Sequence, residues 1–248
     1  MTDAGDETAA LVGATGGAGT TRLTVELGAL LANDGREVVV FDAAFATQGL
    51  SDYLPGRIDP DLTALLTDEH DTPLSAGLVD FPVDDIAGRL ACCPAVAPFE
   101  RLARAKSPAA AQALESRIDA AADAFDHVLV DTPPVAANQA VAAVNATTRT
   151  TVVAPATGRG RDGVQRAIGR LDDLGVDVDA VVATRGDLSV ADATMPETEG
   201  EVTAAPTGLS ERSTAAAVAD VANVALGVDP ATGDGRGLLD SVGEFVSR

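Results

Sequence analysis

Gly13-Ala14-Thr15-Gly16-Gly17-Ala18-Gly19-Thr20-Thr21 is the stretch of this 248-residue chain whose residue types and spacing best suit phosphate chemistry. Glycines let a backbone wrap closely around phosphate oxygens, and the N-H groups at the start of the following helix supply the attraction. An apolar run, Ala9-Ala10-Leu11-Val12, leads into the loop, and a helical pattern from Arg22 to Ala32, with Leu23, Leu27, Leu30 and Leu31, leaves it. This strand, glycine loop and helix order is that of a nucleotide site. A working loop of this kind carries a lysine before its last Ser/Thr to reach the β- and γ-phosphates. Thr20 stands in that place, and a hydroxyl cannot replace a full charge. Arg22, two positions on, is expected to leave the helix on nearly the opposite face from Thr20 and so not to restore it.

The elements that would position this loop are legible as apolar runs without polar alternation, the pattern of strands covered on both faces of a parallel sheet. They are Leu11 to Gly13, Glu37 to Asp42, Leu90 to Cys93, His127 to Asp131, Thr150 to Ala154, Ala180 to Thr184 and, as a last strand, Val202 to Ala204. Helical stretches at Ala109 to Ala124, Asn138 to Asn145, Asp162 to Leu174 and Ser210 to Leu226 alternate with them. The expected fold is α/β, a doubly wound, mostly parallel sheet with helices on both faces. Ligands of such sheets bind at the carboxyl ends of the strands, where the Gly13 loop, Asp42 and Asp131 all fall.

Composition narrows the setting. Asp and Glu total 38 against 17 Lys and Arg, a formal net charge of −21, yet 46% of the residues are hydrophobic, as in a folded domain rather than an acidic tail. Asp outnumbers Glu, aromatics are 3%, and Lys106 is the sole lysine, a pattern similar to cytoplasmic proteins of salt-loving archaea. No basic stripe is present to neutralise nucleic-acid phosphates, so no nucleic-acid partner is expected. Cys92 and Cys93 are adjacent and expected to be buried thiols, and His70 and His127 have no metal-ligand spacing. No run approaches the ~20 apolar residues of a membrane span, and the acidic start, Met1 to Thr8, is unlike a signal peptide. The chain is expected in the cytoplasm.

With these residues in place, the chain resembles the MinD/ParA group of P-loop ATPases over Ala9 to about Gly227. Family loops read lysine-Gly-Gly-x-Gly-lysine-Thr-Thr, against Thr15-Gly16-Gly17-Ala18-Gly19-Thr20-Thr21-Arg22 here. The resemblance implies a P-loop domain over residues 1–227. Its cofactor would be ATP or ADP with Mg²⁺, held by Gly16, Gly17, Ala18, Gly19, Thr20, Thr21 and Arg22. The metal would sit on Thr21 with Asp42 and Asp131 behind it. Thr184-Arg185 stands where the family has Asn-Arg near the adenine, and Pro206 lies in the base-side loop. Thr15 replaces the lysine that reaches across a dimer, Thr20 the lysine that acts in its own subunit, and Ala44 the aspartate that orients water. Losing these together implies a pseudo-ATPase acting in spatial organisation or assembly through protein contacts; whether nucleotide binding is retained stays open. A weakly active partitioning or division-site ATPase is the alternative.

The same loop also resembles the Gly-x-x-Gly-x-x-Gly turn of NAD(P)-binding reductases, with Asp42 placed ~20 residues on as a ribose-binding carboxylate would be. Such reductases need a Tyr-x-x-x-Lys pair that the chain lacks, since Arg57 follows Tyr53, and Tyr53 is expected to be a packing residue. After a turn-rich linker from 228, Leu238 to Val246 has apolar residues at helical spacing. By resemblance this helix, within 238–247, would meet a membrane; Asp240 and Glu244 would repel anionic lipid, and packing on its own domain is the other reading. Expected partners are other proteins, a catalytic paralogue or a second copy of the chain.

Overall fold

Runs rich in Val, Leu and Ala can be covered on both faces at no cost in buried polar groups, and they form the centre of the molecule. The computed structural model describes residues 7–198 and 202–231. Its strands are β1 (Glu7–Gly13), β2 (Glu37–Asp42), β3 (Val79–Asp80), β4 (Arg89–Cys93), β5 (His127–Thr132), β6 (Arg149–Pro155), β7 (Ala180–Thr184) and β8 (Ala193–Met195). They join in one sheet of order β3-β4-β2-β5-β1-β6-β7-β8. Every pairing is parallel except that of β3 with β4 at one edge.

Seven helices flank the sheet among the described residues: α1 (Thr20–Asn33), α2 (Leu62–Thr67), α3 (Phe99–Ala105), α4 (Pro108–Ala122), α5 (Asn138–Asn145), α6 (Gly158–Asp173) and α7 (Arg212–Leu226). Successive strand residues point to opposite faces. Ala9, Leu11, Val38, Val40 and Leu129 pack with α1 and α7 in one core cluster. Their neighbours Val39, Phe41, Val128 and Val130 pack with α2 and α4, and Ala10 and Val12 with α5 and α6. Both cysteines are buried and unpaired.

Three features differ from the expectation. Val202–Ala204 is a short 3₁₀ turn rather than a strand, and the edge beside β7 is taken by β8, whose Ala193 pairs with Val182. Strand-like residue types need a free neighbour to bond, and the neighbour was already occupied. The helices α2 and α3 were not anticipated, since six or seven residues are too few to show a period. A side-chain cap starts α2: the Asp61 carboxylate accepts from the backbone N-H groups of Thr63 and Ala64. At the other end α7 closes on Gly227 in the left-handed region, φ 70°. The expected amphipathic helix at 238–247 lies outside the described residues.

Candidate nucleotide site

At the carboxyl end of β1 the chain turns through Thr15 to Gly19 into α1. Gly17 and Gly19 have φ of 72° and 86°, a backbone that side-chain-bearing residues rarely adopt, so the turn requires glycine there. No side chain caps α1, and its first N-H groups, with the positive end of the helix dipole, face the crevice. The loop is pinned from β6 and β7. Ala14 N donates to Val153 O at 2.8 Å, the Thr184 hydroxyl donates to Ala18 O at 2.7 Å, and the Arg185 guanidinium donates to Gly17 O at 2.5 Å.

These elements enclose a crevice of about 560 Å³. It is lined by the loop from Thr15 to Thr21, by Arg22, Asp131, Thr184 and Arg185, and by Ala44, Asp52, Tyr53 and Glu197. Nearly all the residues singled out in the sequence therefore meet here. Pro206 is not on the lining; its neighbour Thr207 reaches α1 instead. Arg22, named among the expected ligand residues, lines the same crevice as Thr20. Opposite faces hold for the body of a helix, but a crevice that wraps around a helix's first turn is reached from successive positions. Thr15 is buried, and a Cβ placed on Gly163 would fall 2.8 Å from the Thr15 methyl group, so this side chain is turned under α6 of its own domain.

Asp131 lines the crevice, and Asp42 stands behind it, off the lining. Strand register sets Asp42 directly beside Asp131, both buried at the sheet centre. The Thr21 hydroxyl donates to Asp131 Oδ2 at 2.5 Å, and Asp42 accepts from Ala44 N at 2.9 Å and Leu50 N at 3.4 Å. Burial raises the pKa of both; the neighbouring charge of Asp131 adds to the rise at Asp42, and the Thr21 hydrogen bond opposes it at Asp131. Hydroxyl and carboxylate oxygens with no cation beside them suit Mg²⁺, which binds few protein oxygens and completes its shell with water and phosphate. Among the described residues no group of three or more His, Cys, Asp and Glu forms a protein-only metal cage. The arrangement therefore fits an ion delivered with a phosphate ligand, on Thr21.

Tyr53 escaped the sequence reading as a site residue. It follows β2 in a 3₁₀ turn, Gly49–Tyr53, that packs against Thr21, and its phenol oxygen is buried without a hydrogen-bond partner. Burial pushes its pKa up to about 12. Nothing in its sequence spacing marks it.

No family model matches the sequence, and no curated protein matches it. Solved structures do match in shape. The MinD component of a MinC:MinD cell division complex from Aquifex aeolicus superposes with a TM-score of 0.72 at 22% identity, covering 88% of this chain and 94% of that one. The Pyrococcus furiosus cell division ATPase MinD gives 0.69 at 19%, covering 88% and 97%. The septum site-determining protein MinD of Pyrococcus horikoshii, complexed with Mg-ADP, gives 0.65 at 18%, covering 77% and 82%. The fold is that of the MinD/ParA P-loop ATPases. No described helix is long and apolar enough to cross a membrane.

Proposed function

We propose that the chain is a MinD/ParA-like positioning or assembly factor that works through protein contacts and does not turn over ATP. The observation that carries this is the set of side chains at three places of the crevice. Thr15 is turned under α6, and Thr20 and Ala44 line the cavity with no charge to offer. Phosphate clamping and water positioning are each worth several kcal/mol of barrier in phosphoryl transfer, and both are missing. The metal-binding half is kept, and the Mg-ADP of the Pyrococcus horikoshii structure supports ATP or ADP with Mg²⁺ as the ligand class. MinC in the Aquifex aeolicus complex supports a protein partner; a catalytic paralogue or a second copy would use the same face. The acidic composition supports a saline cytoplasm.

Phosphate release from Mg-ATP at molar KCl should match a buffer blank. Turnover near a typical ~1 per second, abolished by Asp131→Ala, would restore the active-ATPase reading. NADPH taken up in place of nucleotide would move the chain to the reductases.

A further inference from the structure

Two donors on residues that line the crevice have no hydrogen-bond partner among the described residues. The Tyr53 hydroxyl is buried with no partner, in a residue 7% exposed, and Arg22 Nε is buried with none within hydrogen-bonding distance. Its nearest acceptor, Glu26 Oε1, lies at 3.6 Å. That carboxylate is already occupied: Oε1 accepts from Thr207 N at 2.9 Å and the Thr207 hydroxyl at 2.8 Å, and Oε2 accepts from Gly208 N at 2.8 Å. Arg22 makes one hydrogen bond, from Nη2 to the Thr207 hydroxyl at 3.3 Å. A guanidinium has five N-H donors, so it is held in place without being saturated. A buried donor left unpaired costs about 1–3 kcal/mol, and two on one wall of one cavity point to an acceptor that belongs there.

We infer that Tyr53 and Arg22 form a paired phosphate anchor on the α1 wall of the crevice, taking an oxygen of a nucleoside diphosphate or triphosphate in place of the absent loop lysines. Both stand beside Thr21: Arg22 is the next residue, and Gly49, at the start of the Tyr53 turn, has its Cβ direction 3.3 Å from Thr21 Oγ1. A phosphate whose Mg²⁺ rests on Thr21 therefore arrives within this corner. Arg22 supplies the positive charge; the phenol, kept protonated by its burial, supplies an uncharged O-H donor. The other cationic side chain on the lining, Arg185, is engaged with Gly17 O, and Asp52, Asp131 and Glu197 line the rest. This anchor rests on the nucleotide reading of the crevice.

The sequence has one tyrosine and no tryptophan, so tyrosine emission is a single-site reporter. Inorganic pyrophosphate with Mg²⁺, which is optically silent, should change that emission in the full chain at molar KCl. Calorimetry with Mg-ADP and with adenosine then separates phosphate contact from base contact. Tyr53→Phe should weaken Mg-ADP about tenfold, about 1.4 kcal/mol, leave adenosine unchanged, and not lower the melting temperature, since it removes an unpaired hydroxyl. Arg22→Lys keeps the charge but loses the planar fork, and should show the same selective loss. Wild-type affinity for Mg-ADP in folded Tyr53→Phe, or a parallel loss for adenosine, overturns the anchor and leaves the nucleotide reading intact. No response to pyrophosphate, Mg-ADP or adenosine overturns both.

Discussion

Buried carboxylates occur in two kinds of surroundings in this fold, and the contrast separates what holds it together from what it holds for a ligand. Asp61, at the start of α2, accepts from the Thr63 hydroxyl at 2.6 Å, Val96 N at 2.8 Å, Ala64 N at 3.1 Å and Thr63 N at 3.3 Å. It also forms a 2.8 Å ion pair with Arg101, joining α2 to α3 and the loop after β4. Glu26 is matched in the same way by the donors of Thr207 and Gly208, with the Arg22 guanidinium 3.6 Å away. Asp42 and Asp131, equally buried, face each other instead of a cation. A charge in a dry interior is tolerated when donors surround it and is costly beside its own kind. The first kind ties loops down; the second sets two carboxylates side by side at the end of paired strands. The crevice lining carries Asp52, Asp131 and Glu197 and no lysine. Asp42 also secures Ala44 N and Leu50 N, so this residue serves the fold.

The largest effect should come from Asp61. Alanine there leaves four donors without their acceptor and Arg101 with Asp68 alone, and chemical denaturation at molar KCl should show a loss of about 3 kcal/mol or more. Asp42→Asn keeps an acceptor for Ala44 N and removes a repelling charge, so its change should stay below about 1 kcal/mol in either direction. Equal losses at the two sites would end the distinction.

Next in size is a dependence on pH. Because burial raises the pKa of both Asp42 and Asp131, and the Asp131 charge adds to the rise at Asp42, the folded state holds those protons more tightly than the unfolded chain. Their stabilising contribution is full below the ordinary carboxylate range and is lost as pH rises through the raised values. Ligand-free stability in high salt should therefore fall from acidic toward neutral pH, and Asp42→Asn should flatten the slope. A flat wild-type profile would refute the pairing.

The smallest effect has the opposite sign. Neither nitrogen of the buried His127 has a partner; burial, then the Arg36 charge, lowers its pKa, against a weaker pull from Asp126. Stability from this group is full above the ordinary imidazole range and is lost as pH falls through it toward the lowered value. In the Asp42→Asn background that acid-side loss should stand alone and disappear with His127→Leu. Its persistence would assign it elsewhere.

Particular residues show how far the sequence carried. The strands ending in Asp42 and Thr184 have the bounds their apolar runs suggested, because such a run can only be covered on both faces in a parallel sheet. Val202–Ala204 has strand-forming residues and no strand, and the short Ala193–Met195 took that edge, because pairing depends on which neighbour is free. The glycine loop and Asp131 line one crevice, with Asp42 paired behind Asp131, since strand ends of a doubly wound sheet converge. Arg22 was named as a ligand residue and lines the crevice, whereas Tyr53 was read as a packing residue and lines it too.

By itself the sequence determined the α/β class, the strand-loop-helix unit and the missing lysines, all of which depend on residue type and short-range spacing. Only the tertiary structure decided that Asp42 lies beside Asp131, that Thr15 turns under α6, and that Tyr53 and Arg22 share one wall with unpaired donors. Register, close packing and hydrogen-bond satisfaction are relations between distant parts of the chain, and these appear only once the sheet has brought them together.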